Sequence, residues 1–243
     1  MKVSVICVYN NPKQLEECLI KSLKTQNIEY ELLLVDGTKN TFPSGSAALN
    51  EGVKKSAGEI LIFSHQDIVL KRTDELKQFV EYIENMPEGT IVGAAGALEK
   101  NRNNIGNYTS GMELDREPIR KLSSAVQVSC IDECFFGMKK GTYNKHAFNE
   151  ELCDNWHLYA VEQCLFHRKN QGKVIVYPIQ LHHFSRGSIN REYMNGLVRL
   201  VDEYGRNFKY VWTTCYKVRA NYYTVRILRF IWILNRKIRN KPL

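Results

Sequence analysis

Short apolar runs alternate with amphipathic stretches over the first hundred residues. Val3 to Val8 reads as a strand, Tyr9-Asn10-Asn11-Pro12 as the turn after it, and Pro12 opens a segment in which Leu15, Cys18, Leu19 and Leu23 recur at helical spacing. That helix is predicted to end near Thr25-Gln26-Asn27. Glu31 to Val35 is a second apolar run, closed by Asp36-Gly37. Strand, helix, strand crossovers are right-handed and make the two strands parallel, so Tyr9 and Asp36 should emerge on one sheet edge. Ser44-Gly45-Ser46 predicts a loop or cap, Ala47 to Ala57 a short helix, and Ile60 to Phe63 a strand buried on both faces.

Further along, Leu76, Phe79, Val80 and Ile83 share one face of a helix predicted over Asp74 to Asn85, which Met86-Pro87 ends. Thr90 to Leu98 reads as a Gly-rich strand; its glycines lack the GxGxxG spacing of a dinucleotide fingerprint. Asn101 to Thr109 has the composition of a loop, and Val126 to Lys139 reads as strand, polar interruption, strand. From Trp156 a helix continues through His167, with Asp154 as its N-cap. Lys173 to Pro178 is a final strand, and Glu192 to Tyr204 another amphipathic helix. Tyr222 to Arg239 interleaves aromatic and aliphatic residues with Arg226, Arg229, Arg236, Lys237 and Arg239.

Composition narrows the partners. The 243 residues carry a formal net charge of +8, which suits an anionic partner such as a nucleotide diphosphate, nucleic acid or an acidic membrane surface. No nucleic-acid-binding module is recognisable, so nucleic acid is not the expected partner. Seven cysteines in an unpaired pattern, without CxxC clusters, read as reduced thiols. The start of the chain shows no basic segment, apolar core or cleavage site of an export signal, so the expected location is cytoplasmic.

The chemistry begins where the Ile60 to Phe63 strand ends in His65-Gln66-Asp67, because ligands of open α/β sheets bind beyond the carboxyl ends of strands. A turn whose Asp67 satisfies nearby amides is the plain alternative. Asp132 and Glu133 are adjacent carboxylates in an apolar stretch. In an extended backbone they face opposite ways, so at most one can reach a cleft. His182-His183 follows the last strand.

The succession VSVICVYNN, LLLVDGTKN and SAALNEGVKKSAGEILIFSHQD resembles the amino-terminal half of GT-A glycosyltransferases, in particular the inverting family 2. The resemblance implies an α/β, Rossmann-like and mostly parallel sheet flanked by helices. A catalytic domain would span residues 1–190, its nucleotide-sugar half 1–100 and its acceptor half 101–190, followed by a basic helical extension over 191–243. Ala47, Ala48, Asn50 and Gly52 match the family's AARNxG segment with Leu49 in place of Arg. Asp67 matches the last Asp of its DXD motif, where His65 replaces the first.

In that reading Tyr9, Asn10, Asp36, Asn50, His65, Gln66 and Arg186 contact a nucleotide-sugar donor, UDP-linked foremost. Backbone amides near Tyr9 suit a base edge, and Asp36 can accept from the base or ribose. Asp67 and His183 (or His182) would hold Mn²⁺ or Mg²⁺. Glu162-Gln163-Cys164-Leu165 aligns with the family's carboxylate-bearing helix, which puts Ala160 where the general base stands. Asp154 is then the first candidate base, followed by Glu162 and His157; Asp132 or Glu133 would ligate an acceptor hydroxyl, with Glu133 a further catalytic candidate. The acceptor would be a glycan or lipid-linked sugar of cell-surface polysaccharide synthesis. The carboxyl-terminal helix would lie on the anionic inner face of the plasma membrane, or else form a homodimer contact. A nucleotide-sugar binder without catalysis, or a basic nucleic-acid-binding protein, is the alternative function.

Overall fold

The repeated apolar runs become neighbours in one sheet. The computed structural model describes residues 2–98, 104–114, 118, 121–185, 187 and 189–242. The central strands are β1 (Val3–Tyr9), β2 (Glu31–Asp36), β3 (Ile60–His65), β4 (Ile91–Gly93), β5 (Val126–Gln127), β6 (Phe135–Lys139) and β7 (Val174–Val176). Their spatial order is β2-β1-β3-β6-β4-β7-β5. β1 is parallel to β2 and β3, and β7 to β4, whereas β6 runs antiparallel between β3 and β4, and β5 antiparallel to β7. Tyr9 pairs with Asp36, so these strand ends emerge together as the crossover requires.

Side-chain alternation divides the core between the two sheet faces. Ile60 and Ile62 of β3 pack with Leu15, Leu19, Leu23, Leu76 and Phe79 on one side. Leu61 and Phe63 pack on the other, with Leu49, Val53, Val161, Leu165, Leu197 and Leu200. The first helix starts as expected: Pro12 occupies its first turn, and the Asn11 side chain accepts from the Gln14 amide. It runs through Pro12–Leu15, a π turn at Glu16–Ile20 and a last turn at Lys21–Leu23.

Three expectations need correction. The stretch expected as one strand over Thr90 to Leu98 splits into β4 and Gly96–Ala97, which pair in different sheets on either side of a bend at Ala94 and Ala95. Part of the expected loop pairs instead, Asn104–Ile105 with Gly96–Ala97 and Tyr108–Ser110 with Leu181–His183. The helix expected from Trp156 begins only at Tyr159, because Leu158 takes a left-handed backbone (φ 70°). Asp154 is therefore not its cap.

Beyond residue 190, the Arg191–Tyr204 helix buries Tyr193, Met194, Leu197, Leu200 and Val201 in the second of these clusters. A hairpin of Tyr210–Trp212 and Lys217–Arg219 follows, then the Tyr222–Ile238 helix. Among the described residues no helix is long and apolar enough to cross a membrane.

Candidate active site

After β3 the chain reverses through Gln66 and Asp67 into Ile68–Leu70, which pairs antiparallel with Leu181–His183. His183 sits opposite Ile68, and strand alternation sends adjacent His182 the other way. His182 is buried, bonded to Thr109 Oγ1 (2.8 Å) and to the Gly111 carbonyl (3.0 Å). His183 Nε2 lies 3.3 Å from Asp67 Oδ1 and 3.4 Å from His65 Nδ1. The other ring nitrogen of His65 is 3.1 Å from the Tyr159 hydroxyl.

One ligand atom from each of His65, Asp67 and His183 lies within 4.8 Å of the others, the spacing a single cation can bridge. Burial, reinforced by neighbouring His183, pushes the His65 imidazole down to about 4, so it is neutral and able to ligate at pH 7. Burial works against the Asp67 charge, but the His183 hydrogen bond and both imidazoles outweigh it and hold the carboxyl below its ordinary range. Asp132, Cys134 and His183 form a second trio. Burial and nearby Asp132 drive the Cys134 thiol far above its usual value, so it keeps its proton and is the poorer ligand. The residues present fit a divalent ion on His65, Asp67 and His183.

These groups open into a cleft of about 320 Å³ whose walls include Tyr9, Asn10, Gln66, Glu133, Trp156 and Tyr159. Gln66 spends its amide on the wall itself. Its Oε1 accepts from the Asn10 and Asn11 amides, both at 2.9 Å, and its Nε2 donates to Asn10 Oδ1 at 2.8 Å. Asp36 is exposed beside the cleft-lining Gly37 and accepts from the Thr38 amide at 2.8 Å. The Thr38 hydrogen bonds hold its carboxyl low. Arg186 lies outside the described residues.

Asn50 corrects the donor-contact expectation. It is buried, its Nδ2 donates to the Phe148 carbonyl (2.9 Å) and Glu150 (2.8 Å), and its Oδ1 accepts from the Tyr143 hydroxyl (2.8 Å) and the Phe148 amide (3.1 Å). Both donors and both lone pairs are taken, so it anchors the Phe148 loop.

The candidate bases separate just as clearly. Asp154 is exposed, ion-paired with Arg199 and outside the cleft lining. Glu162 is fully buried, accepting from His146 Nε2 at 2.8 Å and from the Tyr204 hydroxyl at 2.5 Å. His157 is set edge-on to Tyr193 and is likewise absent from the lining, its protonation disfavoured by burial. Glu133 alone of the four lines the cleft. The backbone amides of Leu158, Tyr159 and Ala160, at the start of the Tyr159–Lys169 helix, favour its charged form, and its Oε1 is shielded with no partner among the described residues. Burial, then Asp132, pushes it up to about 8. Asp132 does not line the cleft; it lies near His183 and accepts from the Cys134 amide (3.1 Å) and Thr214 Oγ1 (3.0 Å).

Tyr159 and Trp156 are site residues that sequence reasoning missed. Tyr159 orients His65, as groups behind metal-binding imidazoles do. A Cβ at Gly45 would stand 3.0 Å from its ring, so glycine leaves the phenol room. Its one signal in the sequence was its place beside Ala160, where the base is missing.

The profile of the Glycosyltransferase like family matches residues 4–195. Among solved structures, GalNAc-T7 with UDP, GalNAc and Mn²⁺ is similar at a TM-score of 0.62 and 15% identity, over 83% of this chain and 48% of that one. TarS 1–349 of S. aureus in complex with UDP-GlcNAc is similar at 0.58 and 14%, over 84% and 66%. The chain thus spans about half the length of the GalNAc-T7 chain, and at these identities the likeness is one of fold. No curated protein matches by sequence.

Proposed function

This chain belongs to the Glycosyltransferase like family, and from that premise we propose that it moves a sugar from a nucleotide diphosphate donor, UDP-linked foremost, to a glycan or lipid-linked acceptor with inversion. The carrying observation is the convergence of His65, Asp67 and Glu133 on one cleft at the carboxyl ends of β1 and β3, with His183 within ligand distance of His65 and Asp67 behind it. Two solved structures of like fold hold UDP or UDP-GlcNAc, which supports the donor class.

Tyr9 and Asn10 line the end of the cleft that would receive the nucleoside, with Asp36 beside it. His65, Asp67 and His183 would bind the cation; two imidazoles and one carboxylate favour Mn²⁺ over Mg²⁺. When bound, such an ion offsets the charge gathering on the departing diphosphate. Glu133 is the base. The acceptor oxygen bonds to the anomeric carbon as the bond from that carbon to the diphosphate oxygen breaks, and the hydroxyl proton passes to the Glu133 carboxylate.

We further propose that the Tyr222–Ile238 helix rests on an anionic membrane surface. Val225, Leu228 and Trp232 turn towards the core, while Tyr223, Ile227, Phe230, Leu234 and Ile238 form an exposed stripe on the opposite side. After Glu203 the chain carries ten Lys or Arg and no Asp or Glu. The positive charge flanking this apolar stripe attracts acidic lipid, which favours a membrane over a homodimer.

Assaying hydrolysis and transfer over a panel of nucleotide sugars, with Mn²⁺ and with EDTA, tests the reading. Turnover that needs the ion is expected. Donor binding without any turnover would instead favour the non-catalytic binder that Ala160 suggests.

A further inference from the structure

The turn that leads into the Tyr159–Lys169 helix is held by bonds that leave one large apolar side chain in solvent. The Asn155 carbonyl accepts from the Gly45 amide (3.1 Å), and Asn155 Oδ1 accepts from the His157 amide (2.8 Å). Asn155 and Leu158 are buried, and His157 is set edge-on to Tyr193. Trp156, between them, is 43% exposed and lines the cleft. Its indole makes no hydrogen bond or ring contact among the described residues. Single exposed apolar residues are common on protein surfaces, but this one is presented at a cleft by a pinned turn. None of the bonds that pin the turn uses the Trp156 side chain, so the fold does not call for an indole there.

Trp156 stands at the reacting end of the cleft. A Cβ at Gly45 would lie 3.6 Å from Trp156 Cε3 and 3.0 Å from Tyr159 Cε1, so the two rings flank one glycine, and the Tyr159 hydroxyl is 3.1 Å from His65. Glu133 lines the same cleft, and the amides that favour its charge belong to Leu158, Tyr159 and Ala160, a short step along the chain from Trp156. A cleft of about 320 Å³ is at the small end for ligand sites and would be filled by a nucleotide sugar. The second substrate must then stand at the rim, where Trp156 is.

A pyranose carries its hydroxyls around the ring edge and C–H groups on its faces, while an indole offers a flat apolar face and an N–H at its edge. Stacking the two takes apolar surface of both out of water and leaves the N–H free to donate to a hydroxyl. We propose that Trp156 is the platform for the sugar ring of the acceptor, holding it with one hydroxyl towards Glu133. The inference rests on the transferase reading.

Indole N–H resonances test it directly, since the chain has three tryptophans and Trp156→Phe identifies one of them. The full chain is titrated with methyl β-glucoside, methyl β-galactoside and sorbitol, each with and without UDP and Mg²⁺. At least one glycoside should move the Trp156 signal, and sorbitol, a polyol with no ring face, should move it at least tenfold more weakly. Trp156→Ala should also raise the ratio of donor hydrolysis to transfer onto that glycoside tenfold or more, and Trp156→Phe, which keeps a ring face, should raise it less. The proposal is overturned if neither glycoside moves the signal, or if sorbitol moves it equally well. It is also overturned if hydrolysis and transfer fall together in Trp156→Ala, which would assign the indole to the donor. An Asn10 amide signal that ignores UDP and Mg²⁺ would count against the donor cleft instead, and the titrations without nucleotide would still decide the platform.

Discussion

The end of β3 and the start of the Tyr159–Lys169 helix meet in one wall of the cleft, and they place their polar groups by opposite means. At β3, two short segments of backbone bring His65, Asp67 and His183 together, with Tyr159 behind His65. Each group there leans on another. Around the helix the carboxylates are dispersed. Asp154 pairs with Arg199 in solvent, Glu162 bonds His146 and Tyr204 in the core, and Glu133 alone lines the cleft, its shielded Oε1 without a partner among the described residues. A carboxylate whose oxygens are already committed has little capacity left for a substrate. The group that retains capacity is the better chemical candidate, whatever its place in an alignment.

The largest effect should come from breaking the β3 end. Asp67→Ala should lower turnover roughly a hundredfold or more, as losing several kcal/mol of charge stabilisation implies. Calorimetry should show donor binding falling with Mn²⁺ present and changing little in EDTA; equal binding under both conditions in the unmodified protein would remove the metal from the reading.

Glu133→Gln should follow, with a loss of roughly 10²- to 10⁴-fold in turnover and donor affinity retained. Glu133 accepts a proton only when ionised, so turnover should climb with pH through about 8 and then level. Its carboxyl binds the proton more tightly folded than unfolded, which makes its contribution to stability greatest below the ordinary carboxyl value of 4.5 and lost as pH rises through about 8. Glu133→Gln should flatten both profiles. A bell or slope unchanged in that variant would return the role of base to another group.

Glu162→Gln sharpens the contrast from the structural side. Disturbing a buried acceptor of three hydrogen bonds should cost about 1–3 kcal/mol in denaturant unfolding, with turnover close to that of the unmodified protein. The smallest effect belongs to Asp154→Asn, whose exposed ion pair is worth about 0.2–1 kcal/mol and whose loss should leave turnover near normal. Removal of the chain from Tyr222 onward sharpens the membrane proposal: co-sedimentation with anionic vesicles should vanish, and donor hydrolysis should persist. Retention on neutral vesicles would point to the apolar stripe acting without the charge.

The apolar runs and the polar residues that close them were enough to read β1, β2 and β3, their parallel pairing and the clustering of Tyr9, Asp36, His65 and Asp67 near one edge, because period and crossover handedness are properties of local sequence. His183 was legible as a residue type, and adjacent His182 was separated from it only by the pairing of Leu181–His183 with Ile68–Leu70. Which carboxylate meets the cleft was not legible at all. Asp154, Glu162 and Glu133 are alike in a string of letters, and their roles depend on Arg199, His146, Tyr204 and the amides after Leu158, groups brought to them by the packing of distant elements. The left-handed turn at Leu158 decides where those amides point. Sequence alone establishes the strands and the edge where chemistry can occur; only tertiary packing establishes which side chains keep a free oxygen or N–H there, because that depends on every partner within hydrogen-bond reach.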